Sequence, residues 1–542
     1  MAPRSAIVVG AGAGGIATAA RLAKAGYKVT VVEKNSFLGG RCSLVHHDEF
    51  RFDQGPSLLL MPECFQQTFE ELGTTPEKEN VKLLTCDPNY RIWFSDGDHL
   101  EMSTDIAKMK PQIERLEGAN GLEGVFGFLK ESGAHYDLAM EHVLCKDFPN
   151  IFAMLRPGLV KSLLALHPFE SMFSRVKRYF KSDKLRRAFT FASMYLGMNP
   201  FEAPGTYSLL QYTELAHGIL YPEGGFVKVL EAVARVGERL GVTFRLNTPV
   251  ASIIQGPDGS ARGVRLESGE ELLADVVVIN ADLVYAYNNL LPQTNYAKSL
   301  TKRKASCSSI SFFWSFDRVI DELSVHNIFL AEEYKESFDS IFHRHQLPSD
   351  PSFYVNVPSR IDPTAAPKGK DSAVVLVPVG HIDDDPSNPQ DWDALVDRAR
   401  EAAFKTIEAR TGAKGLRESI IRETVETPTS WKAKFNLDRG AILGLSHSFF
   451  NVLSFRPQNR HPDIKGLYFV GASTHPGAGV PVALMSAKVT TDLIQKDASK
   501  QNAGRSSWMI WWFVVPLLLA IFSFSKYGSV AWSRLLPLGS KH

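Results

Sequence analysis

Early in the chain, Gly10-x-Gly12-x-x-Gly15 stands between two apolar runs, and that spacing leaves few folds open. Ser5–Val9 has strand composition, Ile16–Ala25 is built of helix formers, Gly26 breaks the helix, and Lys28–Glu33 (KVTVVE) reads as a second buried strand. A strand–turn–helix–strand unit of this kind binds a dinucleotide. Gly10 permits the tight turn, Gly12 lets the backbone approach a pyrophosphate, and Gly15 lets the helix pack on the strand. The helix N-terminus offers free N–H groups and the positive end of its dipole to the phosphates. Glu33 closes the second strand at the right distance to accept hydrogen bonds from ribose hydroxyls. An acid there favours an unphosphorylated ribose, hence FAD or NAD over NADP. A lone glycine triplet can be a mere turn; the frame and the acid make this one specific.

Three further motifs carry candidate ligand contacts. Gly39-Gly40-Arg41 follows Glu33 closely; its glycines admit a dinucleotide and Arg41 offers a planar fork of donors. Asp53-Gln54-Gly55-Pro56-Ser57 is either a loop lining a flavin ring, with Gly55 at its centre, or a plain turn. Gly466–Ser486 (GLYFVGASTHPGAGVPVALMS) reads as a strand, Leu467–Val470, then a glycine-rich turn, then a helix. Gly471, Ala472, Gly479 and Val480 lie where its amides meet the pyrophosphate or the ring from the opposite side. Val250, opening a strand to Gln255, completes the expected cofactor-binding set. His475 keeps two readings: a proton acceptor near the ring, or a turn histidine bonded to backbone. There is no H-E-x-x-H pair and no nucleophile elbow. No metal site is expected, and no catalytic residue is assigned.

The 542 residues are enough for two or three packed units, and a net charge of +1 gives no case for a nucleic-acid partner. Five cysteines without a C-x-x-C pair fit a reducing compartment. The expected fold class is α/β: a Rossmann-type FAD-binding domain of the amine-oxidase-like kind, a mixed α+β substrate domain, and a C-terminal transmembrane helix. The FAD-binding domain is assembled from residues 1–110, 223–282 and 456–495. Residues 111–222 form a helical substrate- and membrane-contacting region, and 283–455 the sheet of the substrate domain. Within the helical region, large apolar residues recur from Ile151 to Phe180. Arg156 to Arg187 holds nine Lys/Arg against Glu170 and Asp183. Such a segment is either a surface for anionic lipid or a packed helix with a solvated basic face. No secretory signal is expected. Residues 496–507 form a polar linker to 508–524 (WMIWWFVVPLLLAIFSF), an uncharged run at the short edge of what spans a bilayer, with tryptophans at one end. It is expected to span, with a re-entrant or interfacial segment as the alternative.

The Gly466–Ser486 stretch resembles the signature of bacterial- and fungal-type phytoene desaturases, the carotenoid dehydrogenases. The glycine triplet, Glu33, Gly39-Gly40-Arg41 and the FDQGPSLL run from Phe52 to Leu59 are similar to that family too, over residues 4–495. The hydrophobic tail resembles the fungal branch. The resemblance implies FAD as cofactor and phytoene as a lipophilic polyene substrate. It implies successive desaturations toward lycopene or 3,4-didehydrolycopene at a membrane surface. Its further partners would be membrane lipid and an electron acceptor such as a quinone or oxygen. Localisation is expected at the endoplasmic reticulum or a related endomembrane, single-pass, with the catalytic part facing the cytosol. Fold alone leaves a polyene isomerase or saturase open, and also a non-catalytic lipid chaperone like the GDP-dissociation inhibitors. No cysteine follows Cys307, so flavin attachment to a cysteine of the C-terminal motif is excluded.

Overall fold

The computed structural model describes residues 3–163 and 165–500. Its organising element is a five-stranded parallel sheet, ordered Leu467–Phe469, Val276–Ile279, Ser5–Val9, Lys28–Val32, Thr243–Arg245. Parallel strands covered on both faces read as continuous apolar runs, which is why VVVI and IVV are all buried. Val8 pairs with Val278 on one side and Val31 on the other. The first helix, Ala13–Lys24, is buried from Gly14 to Ala23 and packs against the helix Val227–Arg239. Three stretches of chain far apart in sequence thus share one sheet. An antiparallel three-stranded sheet, Val250–Gln255, Ala261–Leu266 and Glu271–Leu273, follows in the second stretch.

A seven-stranded sheet forms the other half. Its order is Ile420–Glu426, Ser308–Phe316, Ser372–Val379, Phe353–Asn356, His326–Phe329, Tyr90–Trp93, His99–Met102. Every residue of Ser308–Phe316 is buried, and the helix Trp392–Thr411 covers it through Trp314 and Phe404, stacked with ring centres 4.7 Å apart. Tyr90–Trp93 and His99–Met102 fall inside the 1–110 stretch, yet pair here and not in the first sheet. Their partner His326–Phe329 lies far along the chain, a pairing no local pattern encodes.

The basic segment divides in two. Met172, Val176, Phe180 and Leu185 are fully buried, and the cations around them are paired: Arg175 with Glu131 and Glu170, Arg178 with Glu170, Lys184 with Asp96 and Asp98, Arg187 with Asp183. The 151–169 half instead exposes Ile151, Phe152, Leu155, Val160 and Phe169, with Arg156 and Lys161 also exposed. Phe169 packs on Phe449, and Phe450 stands beside it. Exposure reaches 74% at Phe152, 76% at Phe169 and 72% at Phe450, so apolar rings face outward here in a group.

Residues 496–500, expected to open the linker, continue a helix that begins at 480. They contain no glycine or proline to stop it. The expected transmembrane helix 508–524 lies outside the described residues. Among the described residues, no helix is long and apolar enough to cross a membrane.

Candidate functional site

The C-terminal ends of the parallel strands open on a cavity of about 730 Å³. Ligands of open α/β sheets bind at such strand ends. Gly10 and Gly12 line it from the first turn, and Gly12 N-caps the first helix without any side-chain cap. The first-turn amides are therefore left for a ligand. A Cβ at position 12 would lie 2.8 Å from Asn280 Oδ1. Gly15 is the exception among the expected residues: it does not line the cavity. A Cβ there would stand 2.1 Å from the Gly10 carbonyl oxygen, so its task is helix packing and not ligand contact.

Gly39, Gly40 and Arg41 cross the first turn directly. Gly39 N donates to Ala11 O at 2.8 Å, and a Cβ on Gly40 would reach Gly12 Cα at 3.3 Å. Glu33 lines the same end; its carboxylate accepts from Ala11 N at 2.8 Å and from Asn35 N at 2.9 Å. Arg41 also lines the cavity, but one arm of its fork, Nη1, donates to Ile442 O. Burial pushes its pKa down while nearby Asp282, another wall residue, pushes it up. Burial raises the Asp282 carboxyl to about 6. Gly55 lets the backbone close on this loop, since a Cβ would meet Arg41 O at 2.3 Å. Val250 lies in the wall of the same cavity.

From the other end of the chain, Gly471, Ala472, Gly479 and Val480 complete the wall. Gly479 has φ +109° with nothing crowding it, so the backbone conformation itself selects glycine. The helix that starts at 480 brings its first turn, Val480 to Ala483, into the cavity wall from this side, and a helix N-terminus is a favourable place for an anion.

His475 is not in the cavity wall. It is buried against Phe148, its Nε2 is 3.2 Å from Val143 O, and burial lowers its pKa to about 4. The backbone-bonded turn histidine is the reading the geometry supports.

Several functional residues escaped sequence reasoning. Asn280 ends the Val276–Ile279 strand. Its Nδ2 donates to Val470 O at 2.9 Å and its N to Val9 O at 2.7 Å, locking both glycine turns together. A polar residue just past an apolar parallel strand was the available signal. Arg456 is fully buried and donates to five carbonyls, those of Leu445, Ser446, Asn451, Ala472 and Thr474. His447 Nε2 accepts from Ala478 N at 3.0 Å. Both side chains fix the C-terminal turn. Phe191, Leu196, Leu210 and Pro378 give the far end of the cavity apolar walls, and Tyr195 and Tyr354 line it as well. Among the described residues, Glu131, His135 and His167 cluster at metal-ligand spacing. Arg175 holds that carboxylate, however, and Ser208 and Ala165 hold His135.

The set fits FAD: two uncapped helix N-termini for a pyrophosphate, an acid for a ribose, and an apolar end for a ring and its substrate. A family model described as flavin containing amine oxidoreductase matches residues 13–494. A phytoene desaturase of Fusarium fujikuroi is 57% identical over 516 residues, 92% of this chain and 90% of that one. A phytoene desaturase of Neurospora crassa is 57% identical over 512 residues, covering 92% of this chain and 86% of that one. An oxidoreductase structure from Methanosarcina mazei is 16% identical with a TM-score of 0.61, covering 90% of this chain and 99% of that one, and so shares the fold.

Proposed function

This chain belongs to the flavin containing amine oxidoreductase family and, within it, to the phytoene desaturases, and we propose that its two glycine turns hold FAD beside an apolar wall that takes phytoene. The protein is an FAD-dependent oxidoreductase that desaturates phytoene in carotenoid biosynthesis. The observation that carries the reading is the meeting of two glycine turns, Gly10–Gly15 and Gly471–Gly479, at one cavity with an apolar end.

FAD, when bound, supplies the acceptor for hydride. The turn amides at residues 12–14 and 479–480 would hold its pyrophosphate, and Glu33 would accept from its ribose. Gly39, Gly40, Gly55 and Val250 give the close walls, and Arg41 buttresses them through Ile442. A polyene has no polar handle, so the apolar wall must recognise it by burial, worth about 25 cal/mol per Å². That wall also keeps water from a reacting carbon. Each step removes two hydrogens from adjacent carbons, leading to lycopene or 3,4-didehydrolycopene. An acceptor such as a quinone or oxygen then takes up the electrons. The isomerase, saturase and chaperone readings are not favoured.

Phytoene dissolves in lipid, so the protein must meet a bilayer. The outward rings of Phe152, Phe169 and Phe450, flanked by Arg156 and Lys161, suit that contact. Residues 508–524 add a single-pass anchor that leaves the catalytic part in the cytosol, at the endoplasmic reticulum or a related endomembrane. Incubating the holoenzyme with phytoene in liposomes and recording the product spectrum tests the reading. A chromophore lengthened together with reduction of an acceptor supports it. Isomerised phytoene with no acceptor consumed would refute it.

A further inference from the structure

The helix Leu209–Tyr212 runs straight into a π-helical turn, Thr213–His217. Such turns aim side chains that a regular helix would not, and they concentrate at functional sites. The side chain aimed here is Glu214, which is fully buried. Tyr90 Oη and Gln211 Nε2 both donate to its Oε2 at 2.9 Å. Its Oε1, equally buried, has no hydrogen-bond partner at ordinary geometry. The Tyr195 phenol approaches the same carboxyl and also lines the cavity. A polar chain therefore runs from the cavity wall to an acid in the core.

A second phenol, Tyr354, also lines the cavity, but it is already held by Ser57 and by His326 Nδ1, each at 2.7 Å. Burial presses His326 to about 3, so it is a poor proton acceptor. The groups facing Glu214 are Tyr90 from the strand Tyr90–Trp93, Tyr195 from the turn Phe191–Leu196, and its own neighbour Gln211; Tyr354 faces Tyr195. Among the described residues no cation pairs with Glu214, and burial raises its carboxyl to about 8. A carboxylate formed there binds a proton firmly.

Resting on the desaturase reading, we propose that Tyr195 takes the proton leaving the substrate while passing its own hydroxyl proton to the Glu214 carboxylate. The balance closes. One C–H bond breaks with its electron pair leaving to FAD as hydride, and the adjacent C–H bond breaks with its pair kept as the new C=C bond. The proton freed ends on Glu214 by way of Tyr195. After product leaves, it returns through Tyr195 to water. Tyr195 is the group in contact with substrate; Glu214 acts through it.

The test uses the holoenzyme, with phytoene in phosphatidylcholine vesicles, and follows anaerobic bleaching of bound flavin across pH. The wild-type rate should climb with pH as Glu214 ionises. Glu214→Gln and Tyr195→Phe should each slow bleaching by about 10²-fold or more and lose that climb. Infrared difference spectra of the resting holoenzyme should show a protonated carboxyl that titrates with pH and is absent from Glu214→Gln. Flavin absorbance at wild-type stoichiometry shows that a variant is folded. Should Glu214→Gln lose flavin, Tyr195→Phe and a shift of the infrared band in it decide. Wild-type rates and pH dependence in both variants would overturn the relay. So would a climb lost in Tyr354→Phe but kept in Tyr195→Phe, or an infrared band unchanged in Glu214→Gln. A wild type that phytoene never bleaches, with the Glu214 band present, would instead sink the substrate reading.

Discussion

At position 12 the backbone is extended, at φ −77°, so the demand for glycine there is spatial and not conformational. A side chain would press on Asn280, the residue that ties both glycine turns, and would fill the approach to the first-helix amides. Gly12→Val should therefore abolish flavin binding, read as loss of the yellow colour; stoichiometric FAD in the purified variant contradicts this. Glu214 makes a different forecast, about stability. Its carboxyl goes from the ordinary 4.5 to about 8 on folding, so the native state holds that proton more tightly than the unfolded one. Its contribution is fully present below pH 4.5 and is lost as pH rises to about 8. Relative to Glu214→Gln, the wild type should lose melting temperature across that window and level off above it. Parallel melting curves for the two proteins would refute the buried acid.

At the scale of elements, the C-terminal turn depends on a cation with no carboxylate partner among the hydrogen bonds described. Arg456 satisfies five carbonyls from two loops, and burial lowers its pKa only to about 10, so it stays charged. Each buried carbonyl stripped of its donor costs about 1–3 kcal/mol. Arg456→Met should lower the melting temperature by at least several degrees and lose FAD with it, measured by thermal shift and flavin content. An unchanged melting curve would show that the turn holds itself. Arg456 also marks where the sequence stops being readable. Val276–Ile279 and Val250–Gln255 could be bounded to the residue because apolar runs and alternation are local. Twelve of the thirteen expected ligand contacts line one cavity for the same reason, since glycine turns announce themselves. In SFRPQNR, Arg456 looks like any loop arginine, and in QYTELAH, Glu214 looks like a surface acid. Their burial is set by strands and loops far along the chain, such as Tyr90–Trp93, whose own place depends on His326–Phe329.

For the molecule as a whole, the bilayer contact proposed for the outward rings of Phe152, Phe169 and Phe450 has a measurable strength. Burying a phenylalanine in lipid is worth about 1.5–3 kcal/mol. In a chain ending at residue 504, Phe152→Ser, Phe169→Ser and Phe450→Ser together should cut sedimentation with anionic vesicles at least about tenfold, leaving flavin content intact. Equal sedimentation would assign membrane contact elsewhere. The five-stranded sheet is completed late in synthesis. Its edge strand, Leu467–Phe469, leaves the ribosome long after its neighbours, and Asn280 has no Val470 to hold until then. At about 5–20 residues per second, roughly 25–95 s of synthesis pass before the nucleotide cradle can close. A stop codon anywhere upstream of Leu467 would therefore be a complete null for the cofactor, however much of the chain had been made.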